Sequence, residues 1–144
     1  MTSRFWKASI EQRRCLVAAS SFCEPYVGVK PSTWHWFSLT GDESRPPFAF
    51  AGIWQRWRGP IKKDGPTVEF DVYSFMTTDP NALTSSINHE RSPVLLTTDE
   101  QREAWISGTT REALTLARPI AAEKLRIVQE GFEKKDLLRA EGQT

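Results

Sequence analysis

Hydrophobic and polar residues alternate along much of the chain, which is the pattern of β-strands that bury one face. Between residues 67 and 78, apolar positions such as Val68 and Val72 alternate with acidic ones such as Glu69 and Asp71. Similar alternation, or a short apolar run, predicts strands in four further segments, and a fifth segment could be a last strand. These segments are residues 13–25, read as a buried strand that ends at Pro25, and residues 32–40, 48–57, 92–97 and 125–128.

Helix-capping residues predict short helices between and after these strands. Asp79, followed by Pro80, is expected to cap a short helix within residues 79–87. Thr98 with Gln101 and Thr109 with Glu112 have the spacing of capping boxes at the start of two more helices. Strands that outnumber and surround short helices predict an α+β fold, with a mainly antiparallel sheet and short helices beside it.

Composition narrows the class of protein. The chain has 144 residues, 39% of them hydrophobic and 26% charged, which fits one folded domain and argues against disorder. No long apolar run or signal peptide is visible, so we expect a cytoplasmic protein without a membrane partner. The net charge is only +1, so no overall basic field points to nucleic acid. Within residues 1–14, however, four basic residues face one acidic residue, a local charge of +3.

Cysteine and histidine are scarce. Cys15 and Cys23 are expected to be free thiols. With His35 and His89 they could form a four-ligand zinc set, but no C-x-x-C pair is present. We therefore expect no metal and no cofactor.

Two short segments invite a functional interpretation. In SSINHERSPVLL, His89 lies at the entrance of a predicted strand, where it is either a proton-transfer residue or a polar turn residue. In IWQRWRGPIKK, tryptophans beside cations fit base stacking by a single-strand binder. A hairpin anchored in the core by Trp54 and carrying a solvated tip explains that second segment more simply.

Four stretches in order resemble the SOS response-associated peptidase (SRAP) family of abasic-site processing proteins. These stretches are TSRFWKASIEQRRCLVAASSFCEP, PPFAFAGIWQRW, FMTTDPNALTSSINHERSPVLL and DEQREAWI. They are similar to the family's Ser-Arg to Gly-Phe-Tyr-Glu-Trp segment, its Phe-Ala-Gly-Leu-Trp strand, its His-Asp-Arg-Met-Pro motif and its next helix. The likeness predicts a partial, barrel-like SRAP domain over residues 1–118. A last strand or helix and a charged tail would follow over residues 119–144.

The resemblance implies a damage-response function on single-stranded DNA. Family members bond an N-terminal Cys to the ring-opened sugar of an abasic site, and the same Cys is linked to autoproteolysis. By motif, Glu24 and His89 would be the catalytic residues that manage protons. Arg4 and Arg91 would be the DNA-binding residues that hold phosphates, as guanidinium groups do well.

This sequence departs from the family at its start. It begins MTSRF, without the family's Met-Cys-Gly-Arg, so we expect the chain not to crosslink alone. Cys23 is adjacent to Glu24, and successive strand side chains face opposite ways, so Cys23 should not substitute. Open sheet edges would favour a homodimer or a second polypeptide that carries the missing N-terminal half.

Three alternatives stay open from the sequence. The chain could be a non-catalytic module that binds single-stranded DNA, or an inactive remnant or split half. It could also be a hydrolase that uses Ser20 or Ser21 as its nucleophile, although no pattern places a general base beside them.

Overall fold

The computed structural model of this chain describes residues 4–42, 44–88 and 90–137. The helices are α1 (Arg4–Gln12), α2 (Ala82–Ser85), α3 (Asp99–Ser107) and α4 (Thr110–Thr115), with one 3-10 turn at Ala122–Lys124. The strands are β1 (Arg14–Ala19), β2 (Phe22–Pro25), β3 (Trp34–Leu39), β4 (Phe48–Pro60), β5 (Thr67–Phe75), β6 (Thr77–Thr78), β7 (Ser92–Pro93), β8 (Leu95–Leu96) and β9 (Leu125–Gly131).

The α+β class is confirmed. The pairs β2–β3, β3–β9, β4–β5 and β4–β8 are all antiparallel. Within the part of the chain that the structure describes, the strands form separate sheets and no closed barrel.

Most predicted elements are present, including both capping boxes. Thr98 and Gln101 cap α3 reciprocally, and Thr109 and Glu112 cap α4 in the same way. The capping residue of α2 is a correction: it is Asn81 rather than Asp79. The side chain of Asn81 accepts from the Thr84 amide while the Thr84 hydroxyl accepts from the Asn81 amide.

Residues 13–25 also differ from the expectation of one buried strand. They form two strands, β1 and β2, which belong to different sheets. Leu16 in β1 is 40% exposed, so β1 is not a buried strand. Helix α1 precedes it, in a basic segment to which the sequence patterns assigned no element.

The chain divides into two compact units whose segments alternate along the sequence. The first unit is Met1–Ala18, Ala49–Thr78 and Pro93–Arg118; the second is Ala19–Phe48, Asp79–Ser92 and Pro119–Thr144. The proposed boundary at residue 118 between a partial domain and a tail stays a prediction.

Trp105 of α3 is the centre of the first unit. Its side chain is fully buried, against apolar residues that include Ile53 and Leu96. The indole Nε1–H donates to the carbonyls of both Cys15 and Gly52, each at 3.0 Å, and so joins α3 to the neighbouring strands β1 and β4. The largest apolar ring of this core therefore also satisfies two backbone acceptors.

Arg14 secures the ends of two helices in the same unit. Its guanidinium donates to the carbonyl of Ile10 at 2.8 Å, in α1, and to that of Trp105 at 2.6 Å, in α3. It also donates to the carbonyl of Gly108, just after α3. A cation here binds helix C-terminal carbonyls that would otherwise lack partners.

The second unit is built on the sheet β2-β3-β9. Phe22 stacks on Phe37 with ring centroids 5.2 Å apart, and Phe48 meets Phe22 edge to face at 6.4 Å. The Asn81 side chain also donates to the carbonyl of Ile120 at 2.9 Å, which ties α2 to the segment that leads into β9.

None of the helices in the described ranges is long and apolar enough to cross a membrane.

The indole hydrogen bonds of Trp105 give a stability prediction. Trp105→Phe should lower the free energy of unfolding by about 2 kcal/mol, because two buried carbonyls lose their donor. Urea unfolding followed by circular dichroism measures the change. The exposed neighbour Ile106 provides a control, since Ile106→Ala should change stability by less than about 0.5 kcal/mol. Equal unfolding midpoints for Trp105→Phe and the wild type would contradict the role given to the indole.

Candidate functional site

The pairing of β2 with β3 determines what faces Glu24. In this register Glu24 is opposite His35, and Cys23 is opposite Trp36. Directly opposite residues of an antiparallel pair project from the same face of the sheet, with Cβ atoms about 5 Å apart. Glu24 and His35 therefore share one face, and Cys23 projects from the other.

Asn88 binds the Glu24 carboxylate from a distant part of the sequence. Its Nδ2 donates to Glu24 Oε2 at 3.0 Å. Nearby, the Val27 amide donates to the carbonyl of Ile87 at 3.3 Å, so the backbone beside Glu24 also meets this segment. The Asn88 Oδ1 accepts from the Glu90 amide at 3.2 Å, across position 89.

His89 itself lies outside the described residues, so its role stays a prediction. The residue before it, Asn88, is held against Glu24 although 64 positions separate the two in sequence. Sequence analysis missed Asn88 as a site residue. Its place directly before the His of the resembling motif was the only available signal.

The environment of Glu24 changes its acidity. Burial raises the pKa of the Glu24 carboxyl above its ordinary value of 4.5, and the hydrogen bond from Asn88 offsets part of that rise. A carboxyl with a raised pKa keeps its proton closer to neutral pH, as a general acid or base requires.

His35 is the second titratable group on this face. The imidazole is buried, and its Nε2 lies 3.8 Å from Oε1 of Glu130 on β9. The ring of Tyr26 meets it edge to face at 5.6 Å. Sequence analysis considered His35 only as a zinc ligand, because nothing local indicates its cross-strand partners.

Neither cysteine is an activated thiol. Burial raises the pKa of both Cys15 and Cys23, and the negative charge of Glu24 raises that of Cys23 further. Both thiols therefore stay protonated near neutral pH, and the protonated form is a poor nucleophile. The orientation predicted for Cys23, away from Glu24, agrees with the register.

The described residues also lack a metal site. No group of three or more His, Cys, Asp or Glu among them is placed to hold an ion. Cys23 and His35 project from opposite faces of the β2–β3 pair, so those two members of the considered zinc set do not converge.

The structure describes the side chain of only one of the two predicted phosphate-binding arginines. Arg91 is more than half exposed, with Nη1 3.7 Å from Oδ1 of the exposed Asp79. Arg4 begins α1, but its side chain lies outside what the structure describes.

The structure also bears on two other hypotheses, the serine nucleophile and the core position of Trp54. The Ser21 hydroxyl donates to the carboxylate of Asp136, which is paired with Arg45, so Ser21 serves a structural ion pair. Trp54 is 36% exposed rather than a core residue, and it lines a cleft of about 500 Å³ with Arg13, Gln55 and Arg56. Arg56 in that cleft is bound to acidic groups of β5, those of Glu69 and Asp71.

Comparison with known proteins identifies the family. A family model for SOS response associated peptidase (SRAP) matches residues 1–130. The chain belongs to the SRAP family. The resemblance noted from the sequence motifs is therefore confirmed.

Individual relatives of this SRAP chain are longer than it is. Abasic site processing protein YoqW from Bacillus subtilis (strain 168), and the same-named protein of Bacillus phage SPbeta, are each 31% identical to it over 102 residues. That match covers 71% of this chain and 42% of each relative. A crystal structure of a protein from Bacteroides thetaiotaomicron matches with a TM-score of 0.70 and 26% identity, over 88% of this chain and 54% of that one. The chain thus spans about half or less of these relatives.

The raised pKa of Glu24 has a consequence for stability. The folded state binds this proton more tightly than the unfolded state, so the stabilising effect is complete below pH 4.5. It is lost as the pH rises through the raised pKa. Glu24→Gln, which keeps the shape and the acceptor for Asn88, should therefore gain stability relative to the wild type between pH 4 and pH 7.

Urea unfolding at several pH values measures this difference. Glu103→Gln, at an exposed position of α3, controls for the loss of one negative charge. A stability difference between Glu24→Gln and the wild type that stays constant with pH would refute the assignment.

Proposed function

We propose that this SRAP-family chain binds single-stranded DNA at abasic sites as part of a DNA damage response. Glu24 and His89 would form the pocket that manages protons, and Arg4 and Arg91 would hold the flanking phosphates. The observation that supports this most directly is the 3.0 Å hydrogen bond between Asn88 and Glu24. It brings the segment that contains His89 to a carboxyl whose pKa is raised.

The chemistry of an abasic site suits such a pocket. Opening the sugar ring to its aldehyde moves a proton off one oxygen and onto another, which a carboxyl near its pKa assists. Asn88 orients the carboxyl without adding charge, so Glu24 could both give and accept a proton.

Formation of a covalent bond to the abasic site is a separate question. The thiols of this sequence are Cys15 and Cys23, and both have raised pKa values. We therefore propose that the pocket residues recognise the site and that neither thiol forms the adduct. Crosslinking would require another nucleophile, and a homodimer or a second polypeptide is the assembly we consider.

A non-catalytic binding module is the second candidate. The protonated thiols favour it over a hydrolase, because no activated nucleophile is present among the groups described above. An inactive remnant would bind no DNA at all.

A paired gel assay separates these possibilities. An oligonucleotide that carries one abasic site is incubated with the chain and run on native and denaturing gels. We expect a shifted band on the native gel only. A band that survives denaturation would overturn the proposed lack of crosslinking, and no shift on either gel would overturn DNA binding.

Arg91 gives a sharper test of the phosphate contact. Arg91→Ala should weaken binding and reduce the slope of log K against log salt by about 0.7, the value for one contact on a single strand. The exposed Arg111 of α4 is the matched control, because Arg111→Ala removes the same charge at a position not proposed to touch DNA. Equal slopes for the two variants would remove Arg91 from the interface.

A further inference from the structure

The segment that follows β9 folds back over the sheet of the second unit. We call residues 133–137 of this segment the C-terminal strap. The indole Nε1–H of Trp36 donates to the carbonyl of Glu133 at 3.4 Å, and the Lys134 ammonium lies 4.9 Å from the centre of the Trp34 ring. The strap therefore begins on two tryptophans of β3, one through a hydrogen bond and one through a cation–π contact.

Gln129 of β9 holds the backbone of the strap further along. Its Nε2 donates to the carbonyl of Lys135 at 2.8 Å, and its Oε1 accepts from the Leu137 amide at 2.8 Å. Gln129 is opposite Trp36 in the β3–β9 ladder, so both side chains project from one face of the sheet. This is the face opposite to that of Glu24, so the strap lies away from the candidate pocket.

The side chain of Asp136 fastens the strap. Its Oδ2 pairs with Nη1 of Arg45 and also accepts from the Ser21 hydroxyl. Both charged side chains are largely buried, because 10% of Arg45 and 19% of Asp136 is exposed. Removing one partner of a buried ion pair leaves the other charge without water or a counter-charge, so this contact strongly favours the docked strap.

Arg126 brings a second cation to the same place. Its guanidinium donates to the carbonyl of Ser44, the residue before Arg45. Burial, and next the positive charge of Arg126, lower the pKa of the Arg45 guanidinium, so the two cations are close enough to repel each other. An anion bound beside them relieves that repulsion.

The Asp136 carboxylate fits this place with only one of its oxygens. Oδ2 makes both contacts, whereas Oδ1 is buried and has no hydrogen-bond partner among the described residues. Two guanidinium groups and a hydroxyl offer more donors than one carboxylate oxygen uses. Phosphate carries more acceptor oxygens than a carboxylate and forms strong, charge-assisted hydrogen bonds with arginine.

The strap is joined to β9 by Gly131, whose conformation suits a joint. Its φ is +148°, in the region that favours glycine, and an added Cβ would meet nothing within 4 Å. The chain turns back at this open position, so the strap can leave the sheet while β9 stays paired.

We propose that Arg45 and Ser21 form a phosphate-binding site that the chain's own Asp136 occupies, so that a phosphate group and the strap compete for it. Phosphate binding releases the strap and uncovers Trp34 and Trp36. This inference goes beyond the proposed function, because it concerns the face of the sheet opposite to Glu24.

A phosphate titration of the free chain, followed by nuclear magnetic resonance, tests the competition. The reporters are the Leu137 amide and the Trp36 indole N–H, which both take part in strap contacts. Inorganic phosphate should move both signals toward the positions of solvent-exposed groups, with one common midpoint. Sodium chloride of equal ionic strength should leave them in place, since screening alone acts weakly on a buried pair. Identical responses to the two salts would overturn the proposal.

Variants of the two charged partners sharpen the test, with phosphate affinity measured by isothermal titration calorimetry. Asp136→Asn keeps the shape of the side chain but removes the competing charge. It should lower the Kd for phosphate at least about tenfold, because an intramolecular ligand at high effective concentration no longer competes. Arg45→Gln should abolish binding. The control is Asp64→Asn, at an exposed position of the β4–β5 turn, which should bind phosphate as the wild type does.

The Asp136→Asn result decides the matter even if Arg45→Gln fails to fold, because a gain of affinity cannot come from unfolding. An unchanged Kd in Asp136→Asn would show a purely structural ion pair and overturn the proposal.

A phosphate group can come from a free ion or from a nucleic-acid backbone, and a second titration distinguishes the two. A single-stranded oligonucleotide without an abasic site replaces inorganic phosphate. If it releases the strap at a lower concentration of phosphate groups, the ligand is a nucleic-acid backbone, and the reverse order assigns a free phosphate. Failure of DNA binding in the gel assay would overturn the proposed function and leave the titration with inorganic phosphate untouched, so the two failures are distinguishable.

Discussion

The four-residue pairing of β2 with β3 is the constraint on which the candidate site depends. An antiparallel register fixes the face of every side chain, because successive residues of a strand alternate. A slip of one residue would bring Cys23 to the face that Glu24 now occupies and remove the carboxyl from His35. The stacked rings of Phe22 and Phe37, opposite each other in the same ladder, hold the register by packing. The stacking of Phe22 on Phe37 therefore stabilises the register that places Glu24 and His35 on one face, although neither ring carries an ionisable group.

The site retains polar groups at a cost to stability. A half-buried carboxyl with a raised pKa disfavours folding relative to an apolar residue, and so does a buried imidazole whose Nδ1 has no hydrogen-bond partner among the described residues. Groups that lower stability in this way are common at functional sites. They persist where the surrounding structure fixes their geometry. Here the hydrogen bond from Asn88 and the pairing with β3 provide that support.

The first unit shows the opposite use of polar groups. Trp105 and Arg14 are large side chains whose donors end on backbone carbonyls, of strands β1 and β4 for Trp105 and of the C-terminal turns of α1 and α3 for Arg14. These hydrogen bonds therefore stabilise the architecture of the unit. This contrast supports a division between a unit that is built for stability and a sheet face that keeps reactive groups. The motifs that resemble the SRAP family include both Glu24, on this face, and the segment around His89.

The sequence by itself determined the fold class, most of the strands and two helix starts, because these depend on local periodicity and on side chains that cap their own backbone. The sequence also indicated the SRAP family, because the resembling motifs occur along the chain in the same order as in the family. The tertiary structure decided what surrounds Glu24: its hydrogen-bond partner Asn88 comes from 64 positions away, and His35 lies opposite it only because of the strand register. It likewise decided that Asn81 rather than Asp79 caps α2, and that Trp54 lies at the surface. The cap of α2 is a local contact between Asn81 and Thr84, whereas the other features depend on distant neighbours. Burial, pKa and unpaired polar atoms arise from neighbours that are distant in sequence, and no local pattern encodes them.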